Sequence, residues 1–98
     1  MDNKSVLYDV LFFWDNTQDN LKYKQYCAET LCNILKINSE LSVKLVYESE
    51  EKGKCLIYST HDINIATDIR NTLIALELNC QICPLQVADL FGEQSCQT

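Results

Sequence analysis

Glycine, proline and histidine are nearly missing from this chain, which has two, one and one of them in 98 residues. Two glycines cannot build a glycine-rich phosphate loop, so an ordinary nucleotide-binding enzyme is not expected. So little glycine and proline also argues against a loop-rich or disordered chain. Long apolar runs are absent too. The longest, Val10-Leu11-Phe12-Phe13-Trp14, is far too short to span a bilayer. Met1-Asp2-Asn3-Lys4-Ser5 has neither the charged nor the apolar region of a signal peptide, which predicts a cytoplasmic protein, or one of a host's cytoplasm if viral. Basic residues are outnumbered, 8 Lys and Arg against 14 Asp and Glu, for a net charge of −6. Direct attraction to nucleic-acid phosphate is therefore not expected, whereas basic or neutral protein partners are.

What is present is core material. Hydrophobic residues make up 47% and charged ones 22%, enough for one packed domain. We expect that domain over residues 1–88, followed by a polar tail at 89–98. The six cysteines read as reduced, mostly buried small apolar residues, because the chain has a full hydrophobic complement and no export signal.

Two helices stand out. Asp19 or Asn20 can cap the first, with Leu21, Cys27, Ala28, Leu31, Ile34 and Leu35 inward. Thr60 or Asp62 can cap the second, with Ile65, Ala66, Ile69, Leu73 and Leu76 inward. Ala28, Asn33 and Leu35 of one line up with Ala66, Asn71 and Leu73 of the other. Each helix also lies between apolar strand candidates, so the chain reads as a repeated strand–helix–strand unit.

The strand candidates are Val6–Trp14, Leu41–Glu48, Cys55–Ser59 and Cys80–Val87. Leu41, Val43, Leu45 and Tyr47 alternate with Ser42, Lys44, Val46 and Glu48, the period of a half-buried strand. Glu50-Glu51-Lys52-Gly53 would then turn the chain back into a hairpin. Strands one and three are apolar on both faces, as central strands are. Strand two alternates, and strand four carries Pro84, which suits an edge. The expected fold is thus α+β: a ferredoxin-like βαββαβ two-layer sandwich with an antiparallel sheet in the order 4-1-3-2.

A second reading makes Ser39–Ser49 a helix capped by Asn38 or Ser39, with Leu41, Leu45 and Val46 inward. The order becomes βααβαβ. In that form Tyr8-Asp9-Val10-Leu11, the following Asp15-Asn16 and the later Gly53-Lys54-Cys55 resemble the Clp protease adaptor family, whose topology the C-terminal domain of the ribosomal stalk protein shares. The resemblance implies binding of N-terminal residues by an Asn-Asp pair and a His ahead of the glycine. The corresponding places here hold Trp14-Asp15 and Glu50, so the family's histidine is replaced.

Candidate chemistry is sparse. Cys80 and Cys83 have the C-x-x-C spacing of metal knuckles and redox centres. They lie on a strand candidate, where residues three apart point to opposite faces, and Cys83 precedes Pro84. Cys27 and Cys32 sit about 140° apart around a helix and cannot chelate together. His61 and Asp62 form a His-Asp pair beside Ser59 and Thr60, yet these residues also suit the capping of the second helix. Asp15, Asn16 and Asp19 make a polar loop with no calcium-loop spacing. No enzyme activity and no cofactor or metal are expected. A small-ligand or metal-binding regulator built on Cys80, Cys83 and His61 is the alternative.

The ferredoxin-like reading leaves one sheet face without helices. In strand one, Tyr8, Val10, Phe12 and Trp14 alternate with Leu7, Asp9, Leu11 and Phe13, so either face is apolar. We expect an interaction surface of Tyr8, Val10, Phe12, Trp14, Val46 and Tyr58, unless Ala88-Asp89-Leu90-Phe91 folds over it. RNA-binding domains also show aromatics on such a sheet, but with basic residues that this chain lacks. The expected function is a non-catalytic protein-interaction module, such as an adaptor, a regulatory subunit or a phage-type inhibitor. Its partner would be another protein or a second copy, as a homodimer.

Overall fold

The computed structural model describes residues 6–18 and 20–86. The elements run in the order β1 (Val6–Phe13), α1 (Leu21–Leu35), α2 (Ser39–Lys52), β2 (Lys54–Thr60), α3 (Ile63–Ala75) and β3 (Asn79–Gln86). A short 3-10 turn, Asn16–Gln18, leads into α1. Among the described residues this gives a small α+β domain of three antiparallel strands and three helices, with β1 between β2 and β3. The proline-bearing strand β3 lies at an edge, and both of the helices expected from apolar spacing form.

The four-stranded order 4-1-3-2 is corrected, because residues 39–52 are a helix and the sheet has three strands. The caps decide this. The Asn38 side chain accepts the Leu41 amide at 2.8 Å, which closes the first turn of α2. Gly53 ends it in the left-handed region at φ 90°, with its amide donating to Ser49 O. The alternating apolar residues also do not share a buried side. Val46 is buried, with Ser42 and Ser49, while Leu41, Val43 and Tyr47 are exposed. Buried positions 42, 46 and 49 follow the 3.6-residue period. The two serines satisfy their hydroxyls locally: Ser42 Oγ donates to Ser39 O at 3.0 Å and Ser49 Oγ to Val46 O at 2.7 Å. They act as small core residues that let α2 come close to its neighbours.

Gly53 offers a simple test of this boundary. A Cβ there meets nothing within 4 Å, so Gly53→Ala carries only the left-handed backbone penalty. The expected loss is about 1 kcal/mol in urea unfolding, with the fold retained.

All three helices pack on one face of the sheet. Val10 and Phe12 of β1, and Trp14 just beyond it, join Tyr23, Cys27 and Leu31 of α1, Val46 of α2, and Ala66 and Leu73 of α3 in one core. Antiparallel pairing sets the side of each strand residue. Phe12 pairs with Cys55 and Cys80, both buried, and Val10 with Ile82. A bulge opposite Val10 and Leu11 inserts Ile57 in β2, so Leu11 pairs with Leu56 but Val10 with Tyr58. The expected tail, and the segment 88–91 offered above as a cover for the sheet, lie outside the described residues.

Candidate functional site

The expected interaction surface is largely interior. Val10, Phe12, Trp14 and Val46 are buried, because their parity on β1 and on α2 turns them to the helix–sheet interface. Tyr8 is half-buried against the same core, and Tyr58 keeps an exposed side chain on β2. These six therefore do not form one accessible patch.

The cysteine and histidine candidates are dispersed as well. Cys80 pairs with Phe12 on the covered face and Cys83 with Asp9 on the opposite one, as a strand requires. Among the described residues no group of three or more His, Cys, Asp or Glu is placed to hold a metal. His61 bonds through Nδ1 to Val6 O at 2.8 Å; a carbonyl only accepts, so Nδ1 carries the proton in that contact. Asp62 caps α3, its side chain accepting the Asn64 amide at 2.9 Å. The pair is thus turned to backbone groups and forms no base with an orienting carboxylate.

Burial pushes the thiols of Cys27 and Cys80 up from 9.0 to about 11, and that of Cys55 to about 12. These raised values favour the neutral thiol in the folded chain. The resulting stability is complete below pH 9 and drains away as pH rises from there toward 11–12, since the unfolded chain ionises first. Urea midpoints should hold steady up to about pH 8.5 and then fall, and the slope should shrink in Cys55→Ala relative to its own neutral-pH value.

The geometry that sequence reasoning missed lies between α1 and α2. Asn20 caps α1, accepting the Tyr23 amide at 2.8 Å, and this starts the helix so that Leu21 points outward and Tyr23 inward. Leu21 is 69% exposed, not the inward residue its spacing suggested. Across from it on α2, Val43 is 41% and Tyr47 53% exposed. With Ala28, Val46 and Cys32 they line a groove of about 480 Å³. Lys24 reaches across it: its ammonium lies 3.2 Å from Glu50 Oε2 and 5.5 Å from the centre of the Tyr47 ring.

At the sheet end, Trp14 packs on Tyr23 with ring centres 4.9 Å apart and ring planes tilted by 55°. Its indole N–H is buried and has no hydrogen-bond partner among the described residues, an unmet donor that costs about 1–3 kcal/mol. Burial also drives the Tyr23 phenol upward, keeping it neutral. The neighbouring Asp15 accepts the Thr17 hydroxyl at 2.6 Å and its amide at 3.0 Å, which lowers its carboxyl below the usual range. One signal for the groove was available: read as a helix, residues 39–52 leave Leu41, Val43 and Tyr47 without burial.

No known protein-family profile matches the sequence, and no curated protein matches it. Among solved structures the chain is similar to Agrobacterium tumefaciens ClpS2 bound to L-phenylalaninamide, with a TM-score of 0.61 at 9% identity over 84% of this chain and 98% of that one. That likeness is one of fold, and it agrees with the βααβαβ order and not with the ferredoxin-like one.

Proposed function

We propose that this chain is a non-catalytic, cytoplasmic interaction module of the adaptor type whose α1–α2 groove takes an apolar side chain of a protein partner. The observation that carries this reading is the apolar lining of Leu21, Val43 and Tyr47, held exposed around a concave space. A chain of similar fold is known bound to L-phenylalaninamide, an amide of a single aromatic residue. His61 and Asp62, the nearest thing to acid–base machinery, are committed to backbone contacts.

Recognition here rests on the side chain and not on a free terminal amine. The places that the adaptor resemblance assigns to amine-binding groups hold Trp14-Asp15 and Glu50: Trp14 packs on Tyr23, Asp15 Oδ1 already accepts the Thr17 hydroxyl and amide, and Glu50 is paired with Lys24. An incoming ammonium would have to displace the lysine.

L-phenylalaninamide and its N-acetyl form are the probes. A ligand of about a dozen heavy atoms at ~0.3 kcal/mol each binds at roughly millimolar Kd. Calorimetry should give both probes similar constants, and Val43→Asp should weaken both at least about tenfold. A strong preference for the free amine, or no saturation by either probe at tens of millimolar, contradicts the reading.

A further inference from the structure

We infer that the helix-free face of the sheet is self-complementary and pairs with a second copy of this chain across a two-fold axis. The inference is independent of the α1–α2 groove, since it uses the opposite side of the molecule. No helix among the described residues packs on this face. Leu7, Leu11 and Phe13 project from it along β1, flanked by Leu56 on β2 and Leu85 on β3. They are half-buried or exposed: Leu11, Phe13 and Leu56 adjoin one another, and the Ser59-Asp9-Cys83 row separates them from Leu7 and Leu85.

Charge complementarity identifies the occupant. On a chain of net charge −6, the described residues of this face carry one carboxylate, Asp9, and one ammonium, Lys54. The pairing register places them symmetrically about Leu11. One row across the sheet is Leu56-Leu11-Gln81. Two residues to one side lies Ser59-Asp9-Cys83, and two to the other lies Lys54-Phe13-Asn79.

A two-fold axis along the Leu56-Leu11-Gln81 row sets that row on its own copy and exchanges the other two. Asp9 of one chain then faces Phe13 of the other. The Lys54 ammonium already hangs over that ring, 5.9 Å from its centre, and so meets the incoming carboxylate. Ser59 Oγ donates to Asp9 Oδ1 at 2.8 Å and holds the carboxylate in place, leaving its second oxygen for the lysine. Two equivalent ion pairs form, about 7 Å on either side of a Leu11–Leu11 contact, with the sheets about 10 Å apart. A basic or an acidic foreign partner would satisfy only one of the two charges on this face.

Sedimentation equilibrium of the full chain from about 10 μM to 1 mM tests the pairing. The expected result is a concentration-dependent mass rising toward twice 11.3 kDa. Asp9→Lys and Lys54→Asp should each weaken the dimer about tenfold or more. The double swap should return to within a few-fold of the natural chain, because the pair is restored with its sign reversed. Both positions lie on the accessible sheet face, and far-UV circular dichroism on each variant checks that the fold is kept. A strict monomer at 1 mM overturns the inference and leaves the face to residues 87–98 or to another protein. A dimer whose double swap is as weak as the worse single variant overturns this geometry.

Discussion

Phe12→Ala should lower stability by about 3–5 kcal/mol, and the melting temperature by roughly 15–30 °C for a domain of this size. Phe12 is fully buried at the centre of the core, flanked on the same covered face by Cys55 of β2 and Cys80 of β3. Truncation removes its apolar burial and leaves a cavity that three packed helices cannot close. A loss this large approaches the whole stability of a small domain. The paired control is Leu11→Ala, one position along the strand. Leu11 faces away from the helices, so its truncation should cost under about 1 kcal/mol in monomer stability. Equal effects of the two substitutions, read by calorimetric melting, would contradict the assignment of faces.

Lys44→Pro should be nearly as damaging. Lys44 is exposed and lies inside α2, so the substitution touches no packing. Proline there removes the amide that bonds to residue 40 and drives its ring against that carbonyl, at a cost of about 3 kcal/mol. Lys44→Ala, which keeps the helix, should leave stability unchanged or slightly raised. Were residues 41–48 an edge strand, an outward-facing proline would be tolerated instead. Urea unfolding followed by far-UV circular dichroism separates the two. An unperturbed Lys44→Pro variant would restore the four-stranded sheet and dissolve the α1–α2 groove.

The first strand, the two long amphipathic helices and the edge place of the Pro84 strand were all legible in the sequence. Each carries a strong one-dimensional signal: an apolar run, a 3.6-residue stripe or a missing amide. Residues 39–52 were legible as a helix only in the second, βααβαβ reading, and the first reading took them for a strand for a specific reason. Leu41, Val43, Leu45 and Tyr47 alternate, but their apolar surface is mostly spent on exposed positions, while Ser42 and Ser49 go inside. Polarity misleads when buried hydroxyls bond their own helix. The stronger clue lay in Asn38 and Gly53, a cap and a left-handed stop at the two ends of one helix.

Which face of β1 meets the helices could not be read either, since both sets of alternating residues are apolar. Only the pairing of Phe12 with the buried cysteines settles it. The candidate site inherited both uncertainties. Four of its six expected residues became core, and the groove between α1 and α2 exists only once α2 is a helix.

The most direct test of the functional account is a backbone amide NMR titration of the full chain with L-phenylalaninamide. The account predicts saturable shift changes at Leu21, Ala28, Val43 and Tyr47, with Leu11, Leu56 and Gln81 unmoved. Shifts confined to the sheet face, or none at tens of millimolar ligand, would contradict it.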